Sequence, residues 1–380
     1  MGKALVVAGP RQLAYQDYED VALKPDEVRI QTLYSGISAG TEMTQYRGTN
    51  PYMNKRWDEA TRLYVESDAP SWTYPVPNIG YEEVGKIVQV GASVNGIPLG
   101  TFVFGPWWHR THYVANVEWV RQRLMPAGAD PLIGIFSHIG AVGLNGVHDG
   151  RVRIGETVAV FGLGTPGQII AQAARASGAR VIAVDLYDAR LEMAKQLGAH
   201  ITLNPQRVKV AEEIKRLTDN RGADVVFEVS GSSIALNEAI RAAAYSARVV
   251  AMGAFQGEAR GLYLSEEFHH NRINLVCSQI AGVDPELKYR WDKLRLQQTA
   301  VRLQADGILN LIPLVTHRAP FDHAIELFEL IDRAPEQVVQ AVIEFKDEGQ
   351  RRKDENTAHG SPRLWRHCAQ ACASRADAAR

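Results

Sequence analysis

Gly162, Gly164 and Gly167 stand at G-x-G-x-x-G spacing directly after the apolar run 158–161, with Leu163, Thr165 and Pro166 between them. The first glycine permits a tight turn, the second lets backbone approach a pyrophosphate, and the third lets the next helix pack closely. That helix then points its free N-terminal amides at the anion. Residues 168–176 have helix-forming composition and stop at Gly178, which suits a left-handed cap. A second apolar run, 181–184, ends in Asp185. An acid about 20 residues beyond the glycines is where adenosine ribose hydroxyls are held; the plainer alternative is that Asp185 caps the segment after it. A carboxylate there repels a 2′-phosphate, and Leu186 and Tyr187 follow, so no arginine stands directly beside it. The expected ligand is a dinucleotide, with NAD(H) preferred over NADP(H).

Two further stretches carry candidate chemistry. His109 and His112 lie in P-W-W-H-R-T-H, where a strand would aim them at a cleft or leave them on the surface. The segment 46–74 carries Trp57, Tyr64, Trp72 and Tyr74 and far exceeds the median connection of about 4–6 residues. It either lines a substrate cleft, with Trp57 and His109 in the lining, or packs as an extension of its domain.

These residues must be held by two kinds of architecture. Runs at 4–7, 13–18 and 28–33 read as short strands, followed by the Gly- and hydroxyl-rich loop Y-S-G-I-S-A-G-T-E at 34–42. The strand I-G-Y-E-E-V-G-K-I-V-Q-V-G begins at Ile79, and the whole front portion reads as β-rich without a long helical period. From about 154, helical stretches at 189–197, 210–217 and 235–244 alternate with apolar runs at 224–229, 249–252 and 273–278. That alternation predicts a doubly wound parallel sheet with helices on both faces. A helix at 285–304, a strand at 312–316, a helix at 322–331 and a closing strand at 338–345 complete the expectation. Residues 346–380 lack apolar period and read as an unstructured tail, its Cys368 and Cys372 solvated rather than metal-bound.

Composition narrows the function classes. The 380 residues suffice for two to three domains. Lys+Arg 42 against Asp+Glu 43 gives no electrostatic case for nucleic acid or a membrane surface. No apolar stretch approaches the roughly 18 residues of a membrane span, and no signal-peptide core is present. Three cysteines argue against a disulfide framework and for the cytoplasm.

The span 2–345 resembles the medium-chain dehydrogenase/reductase family, the alcohol and polyol dehydrogenases. The matching motifs are S-G-I-S at 35–38, G-Y-E at 80–82, F-G-L-G-T-P-G at 161–167, V-F-E-V-S-G at 226–231 and Q-A-V-I-E-F at 340–345. The resemblance implies a GroES-like β-rich catalytic domain (1–150, completed by 283–345) interrupted by a Rossmann NAD-binding domain (151–282). It also implies hydride transfer between a nicotinamide cofactor and a small alcohol or carbonyl substrate, in a homodimer or homotetramer. Ser38, Ser230, Gly253 and Ser278 join the cofactor set, Ser230 being either a contact or a turn.

Departures from the family pattern shape the chemistry. Zinc-dependent members carry Cys, His, and Glu or Cys at positions that here read Ser38, Tyr81 and His138, and residues 90–120 contain no cysteine for a structural-zinc lobe. Serine and tyrosine are poor zinc ligands, so no zinc is expected. The pattern looks like a zinc-lacking branch, most similar to bacteriochlorophyllide a dehydrogenases, which oxidise a hydroxyethyl group on a chlorin. Tyr81 then either replaces the metal as acid–base or fills its volume. Thr41 matches a proton-relaying hydroxyl, although Ala39 disturbs the register, and His138 is expected to take the proton near neutral pH. Glu82 is the family's retained carboxylate, counted with the substrate lining or paired with an arginine. Reduction of a quinone or enoyl C=C bond, and a dinucleotide sensor without turnover, are the rival readings.

Overall fold

The computed structural model describes residues 1–346. The tail expected beyond, with Cys368 and Cys372, lies outside them. The chain opens with a hairpin of β1 (Gly2–Gly9) and β2 (Gln12–Tyr18), followed by the long strand β3 (Glu27–Ile37) and the short helix α1 (Thr41–Arg47). The stretch 34–37, expected as loop, is the end of β3; its glycine and hydroxyls mask four residues that pair with the C-terminal strand. A small hairpin, β4 (Arg56–Asp58) and β5 (Leu63–Val65), precedes β6 (Glu82–Val90), β7 (Phe102–Gly105), β8 (His112–Asn116) and α2 (Val117–Arg121). Then comes α3 (Phe136–Gly150), a helix of 15 residues in a region expected to have none.

The second half alternates as predicted. β9 (Thr157–Phe161), α4 (Thr165–Ala176), β10 (Arg180–Val184), α5 (Asp188–Gln196), β11 (Ile201–Leu203), α6 (Val210–Leu217), β12 (Ala223–Glu228), α7 (Ser233–Ala242), β13 (Ala243–Ala251) and β14 (Asn274–Cys277) follow in turn. Every pairing among these strands is parallel, and the order is β11-β10-β9-β12-β13-β14. Counted from β9, that is the 3-2-1-4-5-6 order of a dinucleotide-binding sheet, whose crevice opens at the carboxyl ends of β9 and β12. Both faces are covered because successive side chains alternate. Val158 and Val160 enter one core with Phe227, while Ala159 and Phe161 enter another with Val226. Each Val, Ile or Phe so removed from water contributes about 1.5–3 kcal/mol.

The chain then returns to the first half. Helix α8 (Lys293–Ala305) starts eight residues later than the expected 285, and β15 (Val315–Pro320), α9 (Ala324–Arg333) and β16 (Gln340–Glu344) follow. The second large sheet runs β15-β16-β3-β6-β7, with β8 on β3. β16 lies antiparallel to the end of β3, Ala341 opposite Ile37 and Glu344 opposite Tyr34. The last strand therefore borders the very residues that lead into Ser38.

Candidate active site

Ser38 directly follows β3, Tyr81 directly precedes β6, and His138 sits in the first turn of α3. Three sequence-distant positions meet there. The Tyr81 hydroxyl donates to Ser38 Oγ at 2.5 Å, and the His138 ring lies against the phenol with centroids 4.6 Å apart. The Thr41 backbone N–H reaches Ser38 Oγ at 3.4 Å, and its exposed side chain adds a second hydroxyl beside Tyr81. Burial, reinforced by the charges of Glu82 and Glu42, pushes the phenol above its ordinary range. It is a neutral donor at physiological pH. Ser38, grouped in the sequence with the cofactor residues, is thus bonded to the proposed acid–base.

His138 does not behave as expected. Burial and the nearby Lys293 charge push it down to about 3, and Gln297 is the side-chain group beside its Nδ1, at 3.4 Å. A group neutral from acid to alkaline pH cannot take up a proton near pH 7. It is an uncharged wall to the phenol.

Behind Ser38 lies a polar cluster that sequence spacing did not reveal. Glu42 is 1% exposed and Glu82, Glu83 and His109 are 0% exposed, which overturns the placing of Glu82 and His109 as cleft lining. The Glu42 carboxylate accepts the Ser38 amide at 2.9 Å through Oε1 and meets His109 Nε2 at 2.6 Å through Oε2. His109 Nδ1 meets Ser35 Oγ at 2.6 Å; Ser35 donates to Glu83 at 2.9 Å, and Glu83 also accepts the Trp107 amide at 2.8 Å. Burial alone pulls His109 down, but the Glu42 and Glu83 carboxylates outweigh it and leave the imidazole raised. Burial pushes Glu83 up to about 7, with His109 opposing. Glu82 is raised well above the carboxylate range by burial and then by Glu42 and Glu83; its partner is Gln340 at 3.1 Å, rather than an arginine. Gly80 belongs here because its φ is +100° and a Cβ would come within 2.8 Å of the His109 ring.

The aromatic segment folds on itself. Tyr52 stacks on Trp72 with centroids 4.8 Å apart, and Trp57 packs edge-on against Tyr64 at 4.9 Å. Both ends are tied to α1: Asn50 donates to Thr44 Oγ1 and the Tyr74 hydroxyl donates to Gln45 O, each at 2.8 Å. Trp57 thereby meets its own hairpin, and His109 and His112 share no cleft.

The cofactor residues lie at the carboxyl ends of the parallel strands. Gly162 has φ +92°, a Cβ on Gly167 would meet Gly162 O at 1.9 Å, and a Cβ on Gly164 would meet nothing within 4 Å. The open space over Gly164, at an α4 N-terminus with no side-chain cap, fits a pyrophosphate. Thr165 turns away and donates to Val339 O at 2.8 Å. Ser230 is bonded through its amide to Glu228 Oε1 at 2.9 Å, and a Cβ on Gly253 would strike the Gly231 amide at 2.1 Å, so the turns after β12 and β13 are pressed together beside Gly162. Ser278 ends the set just past β14 and is buried. Asp185 accepts the Leu163 amide at 2.6 Å and the Tyr187 amide at 2.9 Å, which leaves lone pairs for ribose hydroxyls. One expectation fails: Arg190 Nη1 stands 4.0 Å from Asp185 Oδ2, brought there by the first turn of α5. Its Nη2 is held by Pro335 O at 2.6 Å and Val338 O at 3.0 Å.

The donor set at Ser38, Tyr81 and His138 is a poor one for the family's zinc: hydroxyl, phenol and imidazole include no thiolate or carboxylate, and Ser38 Oγ already accepts a hydrogen bond from Tyr81. No helix among the described residues is long and apolar enough to cross a membrane.

Comparison with known proteins agrees with this fold. The sequence model of a family described as Zinc-binding dehydrogenase matches residues 167–294, a span that contains none of Ser38, Tyr81 and His138. D-guloside 3-dehydrogenase of Escherichia coli (strain K12) is 32% identical over 351 residues, covering 90% of this chain and 100% of that protein. L-threonine 3-dehydrogenase of Pyrococcus abyssi is 28% identical, covering 81% and 88%. The solved structure of 2R,3R-butanediol dehydrogenase from Bacillus subtilis superposes with TM-score 0.73 at 22% identity, covering 90% of this chain and 99% of that one. These relatives lend no support to the narrower likeness to bacteriochlorophyllide a dehydrogenases. With its GroES-like β-rich sheet, its Rossmann sheet and full-length relatedness to a named dehydrogenase, the chain belongs to the zinc-binding dehydrogenase family of alcohol dehydrogenase-type, medium-chain enzymes.

Proposed function

We propose that this enzyme interconverts a secondary alcohol of a sugar- or polyol-like substrate and its ketone, prefers NAD(H), and works without zinc. The observation that carries the reading is the Tyr81–Ser38 hydrogen bond walled by His138, at the three positions to which the family resemblance assigns zinc ligands in zinc-dependent members. The sugar-like substrate is supported by the relatedness to D-guloside 3-dehydrogenase. Gly164 and Asp185 would hold the nicotinamide cofactor, which would supply or accept the hydride.

The chain's own task is to hold the substrate oxygen and move one proton. Ser38 Oγ accepts from Tyr81 and from the Thr41 amide, which leaves its own hydrogen to point at a substrate oxygen. In reduction, the oxygen of the former carbonyl takes the Ser38 proton, Ser38 takes the Tyr81 proton, and Tyr81 recovers one from solvent past the exposed Thr41. In oxidation the same proton runs outward. The raised phenol stays protonated at neutral pH, so it stands as a hydrogen-bond donor to Ser38 Oγ in either direction of the reaction. Tyr81→Phe removes only the hydroxyl and keeps the ring against His138. The expected result is a kcat loss of about 10²–10⁴-fold, the worth of a positioned acid–base group. A variant within about threefold of the parent, far below that range, overturns the role of Tyr81. Elemental analysis of chelator-free enzyme is expected to show no stoichiometric zinc; one zinc per chain, lost together with activity, overturns the metal-free reading.

A further inference from the structure

The cluster behind Ser38 is far more polar than packing requires. From the Ser38 amide the bonds run through Glu42, His109, Ser35 and Glu83 to the Trp107 amide, each 2.6–2.9 Å long. Every side chain in that chain is buried. Burying ionisable groups costs several kcal/mol per ion, and apolar residues of similar volume are often at least as stable. A cluster of this kind is therefore retained for geometry rather than for stability.

The bond directions assign the protons. With Glu83 ionised, Ser35 spends its hydrogen on Glu83 and accepts from His109, so that Nδ1 carries a proton. The other ring nitrogen faces Glu42 Oε2, and a single proton lies between them in either ionisation state. Glu42 is thereby fixed at one oxygen by the imidazole, while its second oxygen grips the amide of Ser38. Residue 38 follows the end of β3, where no ladder bond restrains it, and its Oγ is the group that Tyr81 addresses. The short helix α1 carries Glu42 in its first turn and so brings the carboxylate back under Ser38.

We infer that Glu42 and His109 are positioning residues for the reaction, holding Ser38 so that its hydroxyl lies between Tyr81 and the substrate oxygen. Neither touches substrate. Ser35 and Glu83 fix the imidazole in turn and form the far end of the support. The inference rests on the proton path proposed above, so its test must separate the two.

A double-mutant cycle does so. Tyr81→Phe is measured first, alone; a kcat near that of the parent removes the proton path and the positioning role with it. Where Tyr81→Phe is impaired, Glu42→Gln and His109→Gln are made in both backgrounds, with folding checked by circular dichroism and thermal unfolding. In the parent each is expected to lower kcat about tenfold or more, with KM for the alcohol and Kd for NAD(H) changed less than about threefold. In the Tyr81→Phe background the same changes are expected to move kcat less than about twofold, because residues acting through one unit are strongly non-additive. Equal losses in the two backgrounds, or losses confined to KM, overturn the positioning role. Should His109→Gln fail to fold, Ser35→Ala removes the acceptor of Nδ1 together with the donor to Glu83, and carries the same test with the same two outcomes.

Discussion

Asp185 shows how a single side chain can be right in kind and incomplete in detail. Its place after the second strand points to ribose binding, and its bonds to the Leu163 and Tyr187 amides leave it aimed from the turn beside Gly162. Arg190 is hidden from a sequence reading because α5 folds residue 190 back over residue 185, a contact no local pattern announces. Its Nη2 is held by two carbonyls and its Nη1 stands 4.0 Å from Asp185, so it offsets part of the carboxylate's charge. Asp185→Ser is expected to weaken NAD(H) use about 10–100-fold, the value of one charge-assisted hydrogen bond, while NADP(H) use stays level or improves. Equal losses for both cofactors in kcat/KM would show that Asp185 only braces the turn. Ser38, Tyr81 and His138 were legible through motif positions. Ser35 and Glu83 were not, because their partners lie tens of residues away and only the crossing of β3, β6 and the loop before β8 brings them together.

Among elements, β9-α4-β10 could be read from sequence because the turn chemistry and the apolar periods agree. Helix α3 could not. Its sequence F-S-H-I-G-A-V-G-L-N-G-V-H-D-G carries four glycines, which lower helix propensity and hide the apolar stripe. Packing explains them: a Cβ on Gly140 would come within 2.7 Å of Ala300 Cβ on α8, and one on Gly143 within 2.6 Å of Ile169 Cγ2 on α4. The helix that carries His138 is thus pressed between the two halves of the fold by close contact. Gly140→Ala gains about 1 kcal/mol of helix propensity. Against that, a clash with a rigid Cβ costs about 1–3 kcal/mol. Net destabilisation is expected in urea unfolding. Gly146→Ala should be milder, since its Cβ would meet the flexible end of Met252. Equal stability of Gly140→Ala and the parent would mean that the two helices separate at little cost.

At the scale of the whole molecule, the buried cluster should set how stability responds to pH. Glu83 is pushed up to about 7 from an ordinary 4.5 by burial, against the pull of His109. A raised carboxyl contributes stability that is fully present below the unfolded value and lost as pH rises through the folded one. For Glu83 that window runs from 4.5 to about 7. Glu82, raised by burial and the neighbouring carboxylates, has the same sign from 4.5 upward. His109 is raised by Glu42 and Glu83 despite its burial, so its contribution is lost as pH climbs above its ordinary 6.5. His138 has the opposite sign: driven down to about 3 by burial, it is lost only as pH falls below 6.5. The enzyme should therefore lose stability as pH rises from 4.5 to about 7, where Glu83 and Glu82 act together, with His109 adding to the loss above 6.5. Glu83→Gln keeps the shape of the neutral carboxyl but turns an amide toward one of the donors Ser35 and Trp107, which costs a constant amount at every pH. The informative quantity is the slope. In denaturant unfolding the variant should lose on the order of 1–3 kcal/mol less than the parent between about pH 5 and pH 8, at roughly 1.4 kcal/mol for each tenfold difference in proton affinity between the folded and unfolded chain. Parallel curves for the two proteins would show that Glu83 stays ionised in its cluster and that His109, not burial, governs its charge.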